Sequence, residues 1–192
     1  MTILQINTSL FGDAGQSTQL ATRLASRLGG KRVVRDLAKN PVPHLDAERF
    51  GAFLAKPDER TPEQQAHVAT SDELINELRE ADVVVIGLPM YNFSVPSTLR
   101  AYFDHVARMG VTFKYTEKGP VGLLTGKKAY VLVTRGGVYA KDHTQTDYVR
   151  QFLGFLGIAD VEFIRAEGLA LGAEAKEAAL ANAHGAIERL AA

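Results

Sequence analysis

The feature that most constrains the fold is the run Asp82–Leu88, DVVVIGL, in which apolar residues follow one another without alternation. Consecutive β-branched residues are typical of a strand that is covered on both faces, as in a parallel sheet between helices. The five predicted strands are Thr2–Asn7, Arg32–Asp36, Asp82–Leu88, Lys127–Thr134 and Asp160–Ala166. Strands separated by helices form parallel sheets with right-handed crossovers. We therefore predict an α/β fold, a doubly wound, five-stranded parallel sheet with helices on both faces.

Helical spacing of apolar residues predicts the connecting helices. They are Ser17–Leu28, Pro62–Glu80, Pro96–Met109, Thr146–Leu156 and Ala173–Leu190. Ser17 is the expected cap of the first helix. The helix Pro96–Met109 carries a stripe of large apolar residues. We expect one sheet face to bury only part of this stripe, so that a partner subunit covers the rest.

Length and composition bound the function. The chain has 192 residues, so one domain over 1–192 is expected. Lys plus Arg and Asp plus Glu are 22 each, which argues against binding to nucleic acid or to anionic membranes. The absence of cysteine excludes disulfides, thiolate metal sites and a cysteine nucleophile, and the five histidines show no metal-ligand spacing. Without a signal peptide or an apolar run of about 20 residues, a cytoplasmic location is expected.

Three loops follow the carboxyl ends of predicted strands, where doubly wound sheets bind ligands. They are residues 8–16, 89–95 and 135–145. The first contains Ser9, Gly15 and Gln16, and Ser17 follows it at the helix start, so hydroxyls and free N–H groups favour an anion there. The Walker and dinucleotide glycine patterns are both absent, which indicates a single terminal phosphate. The alternative is that Ser17 only caps the helix and the glycines only turn the chain.

The other two loops carry groups suited to a flat ring. The second places an amide between aromatic side chains, and the third has paired glycines that permit close approach of a ligand. Their candidate residues are Met90, Tyr91, Asn92, Phe93, Thr134, Arg135, Gly136 and Gly137. Two alternatives remain: the aromatic residues of the second loop only cover the end of the sheet, and the glycines of the third loop only form a turn. Together the three loops describe a monophosphate joined to a planar heteroaromatic ring, and FMN fits that description.

At this point the chain resembles the FMN-dependent NADH:quinone oxidoreductases, the bacterial azoreductases, over essentially its whole length. The motifs are PMYNF at 89–93, GVTFKYT at 110–116, GKK at 126–128, RGG at 135–137, FLGFLG at 152–157 and AEG at 166–168. The resemblance implies a flavodoxin-like sheet with strand order 2-1-3-4-5. It also implies an oxidoreductase that transfers two electrons from NADH or NADPH to quinones, and that cleaves azo compounds by a ping-pong mechanism.

The resemblance implies that Ser9 and the segment Gly15-Gln16-Ser17 hold the flavin phosphate, and that the second and third loops hold the ring. Two positions depart from the family pattern. Gly15 stands where the family has a serine, and the stretch 138–141, Val-Tyr-Ala-Lys, lacks the histidine that often follows the glycines. No protein side chain is assigned as catalytic, because the flavin carries the chemistry.

The family also implies a homodimer in which aromatic residues close the pocket across the interface. Tyr115 and Phe155 are expected to line the substrate side of the flavin, with Phe155 contributed by the partner. Two alternatives stay open. One is a flavodoxin-like electron carrier or redox-sensing module, although such carriers are commonly strongly acidic. The other is a Rossmann dehydrogenase that uses Asp36 to bind a ribose.

Overall fold

The computed structural model describes residues 1–139 and 143–190. The strands are β1 (Thr2–Asn7), β2 (Lys31–Asp36), β3 (Val83–Pro89), β4 (Phe113–Thr116), β5 (Gly119–Gly122), β6 (Lys128–Thr134) and β7 (Asp160–Ala166). The helices are α1 (Gln16–Leu28), α2 (Ala47–Leu54), α3 (Pro62–Glu80), α4 (Ser97–Val106), α5 (Thr144–Leu156) and α6 (Ala173–Leu190). The bounds of the five predicted strands agree with β1, β2, β3, β6 and β7 to within one residue.

The main sheet has five parallel strands in the order β2-β1-β3-β6-β7. This order confirms the expected 2-1-3-4-5 arrangement once the short β4-β5 pair is left out of the count. The register pairs Asn7 with both Asp36 and Gly87, and it pairs Pro89 with Thr134. The carboxyl ends of β1, β3 and β6 therefore meet at one edge of the sheet, which brings the loops that follow them together.

The strands separate two hydrophobic clusters. On β3, Val84, Ile86 and Leu88 belong to a cluster with residues of α3, α4 and α5, whereas Val83 and Val85 belong to one with residues of α1 and α6. All seven residues of β3 are buried, as the uninterrupted apolar run predicts. No helix within the described residues is long and apolar enough to cross a membrane.

The sequence analysis did not identify the antiparallel hairpin of β4 and β5. Each strand has four residues, too short for a clear alternating pattern, and β5 contains Gly119, Pro120 and Gly122. The hairpin turn is held locally, because the hydroxyl of Thr116 donates to the carbonyl of Gly119 at 2.8 Å. After β5, the N–H of Leu124 donates to the carbonyl of Leu156 at 2.8 Å, so the hairpin segment is attached to the end of α5.

Helix α4 is shorter than predicted and ends at Val106 rather than Met109. The hydroxyl of Thr112 donates to the carbonyl of Val106 at 2.6 Å and accepts the N–H of Arg108 at 3.0 Å, and these bonds turn the chain. The expectation of an unburied stripe on this helix is wrong. The four large apolar residues within the helix are at most 1% exposed: Leu99, Tyr102, Phe103 and Val106. Only Met109, beyond the helix, is exposed.

Candidate active site

A cavity of about 180 Å³ lies at the carboxyl edge of the sheet, and all three predicted loops line it. The predicted site residues on its wall are Ser9, Gln16, Ser17, Met90, Tyr91, Thr134, Arg135 and Gly136. The sequence analysis missed Phe11, Pro89 and Leu169, which complete the wall. Phe11 is in the first loop and Pro89 ends β3, so their positions next to predicted residues offered a signal. Leu169 follows β7, a strand end that was not searched.

The remaining predicted residues do not line this cavity. Gly15, Asn92 and Gly137 are each next in sequence to a residue that does, and Phe93 is two residues from Tyr91. Tyr115 and Phe155 lie together elsewhere, each packed against Phe113 at ring-centroid distances of 5.7 and 4.4 Å. Of the stretch 138–141, Ala140 and Lys141 lie outside the described residues. Asp36 does not line the cavity either, and its carboxylate accepts the N–H groups of Ala38 and Lys39 at 3.0 Å.

The amino end of α1 forms one side of the cavity. Gly15 is the N-cap and provides no side chain to accept the N–H groups of the first turn. The prediction that Ser17 caps this helix is therefore wrong, because Ser17 lies inside the first turn. Its hydroxyl is buried and has no hydrogen-bond partner among the described residues, although the residue lines the cavity. A buried donor without a partner beside open N–H groups is the arrangement that an anion would satisfy.

Two glycines let this helix end approach its neighbours. A β-carbon at Gly87 of β3 would lie 2.9 Å from the carbonyl oxygen of Ser17, so only glycine permits α1 to pack this closely on the sheet. A β-carbon at Gly15 would lie 2.1 Å from the hydroxyl oxygen of Ser9. The missing side chain at position 15 is thus matched by the side chain of Ser9, which occupies that space.

Tyr91 joins the first loop to the second. Its hydroxyl accepts the N–H of Leu10 at 3.1 Å and lies 3.4 Å from the hydroxyl of Ser9. The Ser9 hydroxyl in turn accepts the N–H of Phe11 at 3.2 Å. The aromatic residue predicted to cover a flat ring therefore also orders the loop predicted to hold the phosphate.

The tip of the second loop is a tight turn with a strained backbone. Asn92 and Phe93 have φ values of 48° and 64°, and the N–H and carbonyl groups of Tyr91 and Ser94 bond to each other at 3.1 and 3.2 Å. Asn tolerates this left-handed region, but a phenylalanine there is uncommon and costs about 1–2 kcal/mol. The ring of Phe93 is exposed and meets Tyr139 edge to face at 6.4 Å. Strain of this kind is concentrated at functional sites.

The third loop is anchored by a buried cation. The side chain of Arg135 is fully buried, and it donates to Glu167 at 2.8 Å and to Gln145 at 3.1 Å. The Gly136 and Gly137 carbonyl oxygens accept the N–H groups of Ala170 and Gly168 at 2.9 Å. This network attaches the loop to the residues that follow β7, and Arg135 and Gly136 of the loop line the cavity.

Comparison with known proteins agrees with this architecture. The model of a family described as having a flavodoxin-like fold matches residues 1–191. A protein of Cellvibrio japonicus (strain Ueda107) named FMN-dependent NADH:quinone oxidoreductase is 52% identical over 98% of this chain and 97% of its own. FMN-dependent NADH:quinone oxidoreductase 6 of Burkholderia lata (strain 383) is 55% identical, with 97% of this chain and 98% of that protein covered.

The chain belongs to the FMN-dependent NADH:quinone oxidoreductase family. Solved structures extend the likeness to azoreductases. A structure of azoreductase AzrA has a TM-score of 0.89 at 29% identity, covering 100% of this chain and 99% of that one. An FMN-dependent NADH-azoreductase from Bacillus anthracis, solved in complex with FMN, has a TM-score of 0.85 at 28% identity with the same coverage.

Family membership explains why three separate loops converge on one cavity. It also removes the reason for considering a Rossmann dehydrogenase. Asp36, the residue expected to bind a ribose there, accepts backbone N–H groups of the next turn and does not line the cavity. Gln145 and Glu167 support the third loop. Glu167 lies in the AEG motif at 166–168 but was given no role, and Gln145 belongs to none of the motifs. A single glutamine or glutamate in a helix or loop is indistinguishable by pattern from a solvated one.

Proposed function

We propose that this protein is an FMN-dependent oxidoreductase that transfers two electrons from NADH to quinones. The single observation that carries the proposal is the convergence of three loops on one cavity beside the open amino end of α1. The close relatives named for this activity support it. When bound, FMN supplies the redox chemistry by taking a hydride from NADH and passing two electrons to the acceptor.

The residues present fit FMN. The N–H groups of residues 16–18 and the unpartnered hydroxyl of Ser17 would hold the phosphate at the amino end of α1. Ser9 and Tyr91 hold the loop around it. Met90 of the second loop and Gly136 of the third loop both line the cavity and would hold the isoalloxazine ring.

The third loop supplies electrostatic stabilisation. The carbonyl groups of Gly136 and Gly137 are fixed by bonds to Ala170 and Gly168, which orients the peptide planes of the loop. The N–H groups of Gly136 and Gly137 would donate to the ring oxygens of bound FMN and stabilise negative charge there. Donors that are fixed before charge develops stabilise it without further reorganisation.

We also propose a ping-pong mechanism and activity towards azo compounds. The loops would cover one face of the bound ring, so NADH and the acceptor would use the other face in turn. An azo bond accepts the same electron pair, and two rounds cleave it to two amines. NADPH is a second donor in this proposal, and a cytoplasmic location remains a prediction.

The active unit that we propose is a homodimer. Apolar side chains remain exposed after α4 and along the hairpin: Met109, Tyr115, Val121 and Leu123. Others surround the cavity loops: Leu10, Phe11, Phe93 and Val138. Exposed apolar surface of this extent favours association. In the proposed two-fold dimer, Tyr115 and Phe155 close the cavity, with Phe155 contributed by the partner subunit.

Cofactor release and a direct assay test the proposal. Heating the purified protein should release FMN rather than FAD, and the protein with FMN should oxidise NADH with a quinone and no other protein. Flavin binding without this turnover would instead favour the flavodoxin-like electron carrier. Retention of no flavin would contradict both.

A further inference from the structure

Gln145 occupies an unusual place beside the cavity loops. It lies in the first turn of α5, is 1% exposed, and is not on the cavity wall. Its side-chain nitrogen donates to the carbonyl oxygens of Pro89 at 3.0 Å and Ser94 at 3.3 Å. Its side-chain oxygen accepts the Nε–H of Arg135 at 3.1 Å. Both N–H groups and the oxygen of one amide are thus used by two different loops.

The two carbonyl acceptors flank the second loop. Pro89 ends β3 and Ser94 closes the tight turn, so the amide of Gln145 bonds to the chain on both sides of 90–93. The turn between them contains the strained residues Asn92 and Phe93. A strained conformation persists only where its surroundings hold it, and Gln145 supplies two such bonds.

The third acceptor–donor pair connects the amide to the third loop. Arg135 is held to the end of β7 by its backbone, because its N–H donates to Ala166 at 3.0 Å and its carbonyl accepts the N–H of Leu169 at 3.1 Å. Its buried guanidinium is also paired with Glu167. A movement of Gln145 would therefore disturb Arg135, which lines the cavity.

We propose that Gln145 is a positioning residue that fixes the second loop relative to the third and so sets the geometry of both ring-binding segments. The link to flavin geometry rests on the proposed function; the link between the loops does not. Removal of the amide takes one donor from the carbonyl of Ser94, which keeps the N–H of Tyr91. It also breaks the buried bonds to the Pro89 carbonyl and the Arg135 Nε–H, and a buried polar group that loses its partner costs more free energy than an exposed one.

Two variants of similar size distinguish the bonds made by the amide nitrogen from the bond made by the amide oxygen. Gln145→Met removes all three bonds, whereas Gln145→Glu keeps an acceptor for Arg135 but has no N–H for Pro89 and Ser94. The matched control is Ser71→Ala. Ser71 is equally buried in α3, and its hydroxyl donates to His105 at 2.6 Å and accepts from Arg108 at 3.1 Å, away from the cavity.

The first measurement is amide hydrogen exchange of the full-length, FMN-loaded protein over residues 90–94. Both Gln145 variants should accelerate exchange there by about tenfold, the equivalent of one or two lost hydrogen bonds. FMN dissociation, followed by flavin fluorescence, should accelerate by a similar factor. Ser71→Ala should change neither, although it lowers thermal stability.

Unchanged exchange at 90–94 in either folded Gln145 variant would overturn the proposal, as would equal acceleration in Ser71→Ala. If one variant fails to fold, the other decides. Failure of the proposed function is a separate result. If the wild-type protein binds no FMN, hydrogen exchange at residues 90–94 can still be compared between wild type and the Gln145 variants.

Discussion

A β-carbon on Gly15 would lie 2.1 Å from the hydroxyl oxygen of Ser9 and 2.5 Å from its β-carbon. Rotation of the Ser9 side chain would move its hydroxyl but not its β-carbon, so the second contact would remain. The resemblance implies a serine at position 15 in other members of the family. In this chain the glycine and Ser9 form a matched pair, and the absence of a second hydroxyl is a steric requirement.

Gly15→Ser should weaken FMN binding instead of restoring a phosphate contact. Overpacking of a buried site costs about 1–3 kcal/mol, so the dissociation constant should rise by about tenfold or more. Fluorescence titration with FMN measures this directly. Gly51→Ser, at an α2 position with open space around it, is the control and should leave affinity unchanged. Tighter binding by Gly15→Ser would contradict the steric reading.

Ser17→Ala distinguishes a phosphate ligand from a structural serine. Its hydroxyl has no partner among the described residues, so removal should leave the stability of the FMN-free protein unchanged or slightly raised. FMN affinity should fall about 10- to 100-fold, because a hydrogen bond to a charged group is lost. Thr98→Val is the control, since the Thr98 hydroxyl is similarly buried and unpartnered within the described chain but belongs to α4, off the cavity wall. Loss of stability without loss of affinity would show that Ser17 has a structural role only.

Tyr91→Phe should loosen the first loop. The variant keeps the ring but removes the acceptor for the N–H of Leu10, which should lower the free energy of unfolding by about 1 kcal/mol and weaken FMN binding. Chemical denaturation and FMN titration check both effects. Tyr102→Phe removes a buried hydroxyl that has no partner in the described residues, so it should not destabilise the protein. Equal effects of the two substitutions would count against a role of the Tyr91 hydroxyl in holding the first loop.

His105 should make the fold sensitive to acid. Burial, with a smaller effect of Arg49, lowers the pKa of its imidazole, while the carbonyl of Ala101 and the carboxylates of Asp104 and Asp46 act in the opposite direction. Because the folded-state pKa lies below the unfolded one, the unfolded state takes up the proton first. The stabilising contribution is complete above about pH 6.5 and is lost as the pH falls. Denaturation from pH 7.5 to pH 5, roughly the histidine titration range, should show a smaller loss of stability in His105→Gln than in wild type. Equal slopes would contradict this assignment.

The parts of the fold that could be predicted from sequence are those with long-range apolar periodicity. The run at β3 predicted a central strand, and its burial follows from helices on either side. The β4-β5 hairpin escaped prediction because its strands are short and mostly exposed. The prediction that apolar residues of α4 stay exposed is wrong because α3 and α5 help to cover them. Periodicity in the sequence does not report how neighbouring helices pack.

The site was predictable to the extent that its residues follow strand ends. Ser17 lies on the cavity wall, but the cap role predicted for it is wrong, since the helix begins one residue earlier. Gln145 acts through bonds to residues 51 and 56 positions away in the chain, and no local pattern predicts such partners. The steric pairing of Gly15 with Ser9 likewise depends on three-dimensional proximity.

An anaerobic half-reaction tests the central claim most directly. The purified, FMN-loaded protein is mixed with NADH without any acceptor, and a quinone is added after the NADH has been consumed. The account predicts that NADH bleaches the visible flavin absorbance stoichiometrically, and that the quinone restores it while NAD⁺ has already left. Absence of bleaching by NADH alone, or bleaching only when the quinone is also present, would contradict transfer of electrons through a flavin that the two substrates reach in turn.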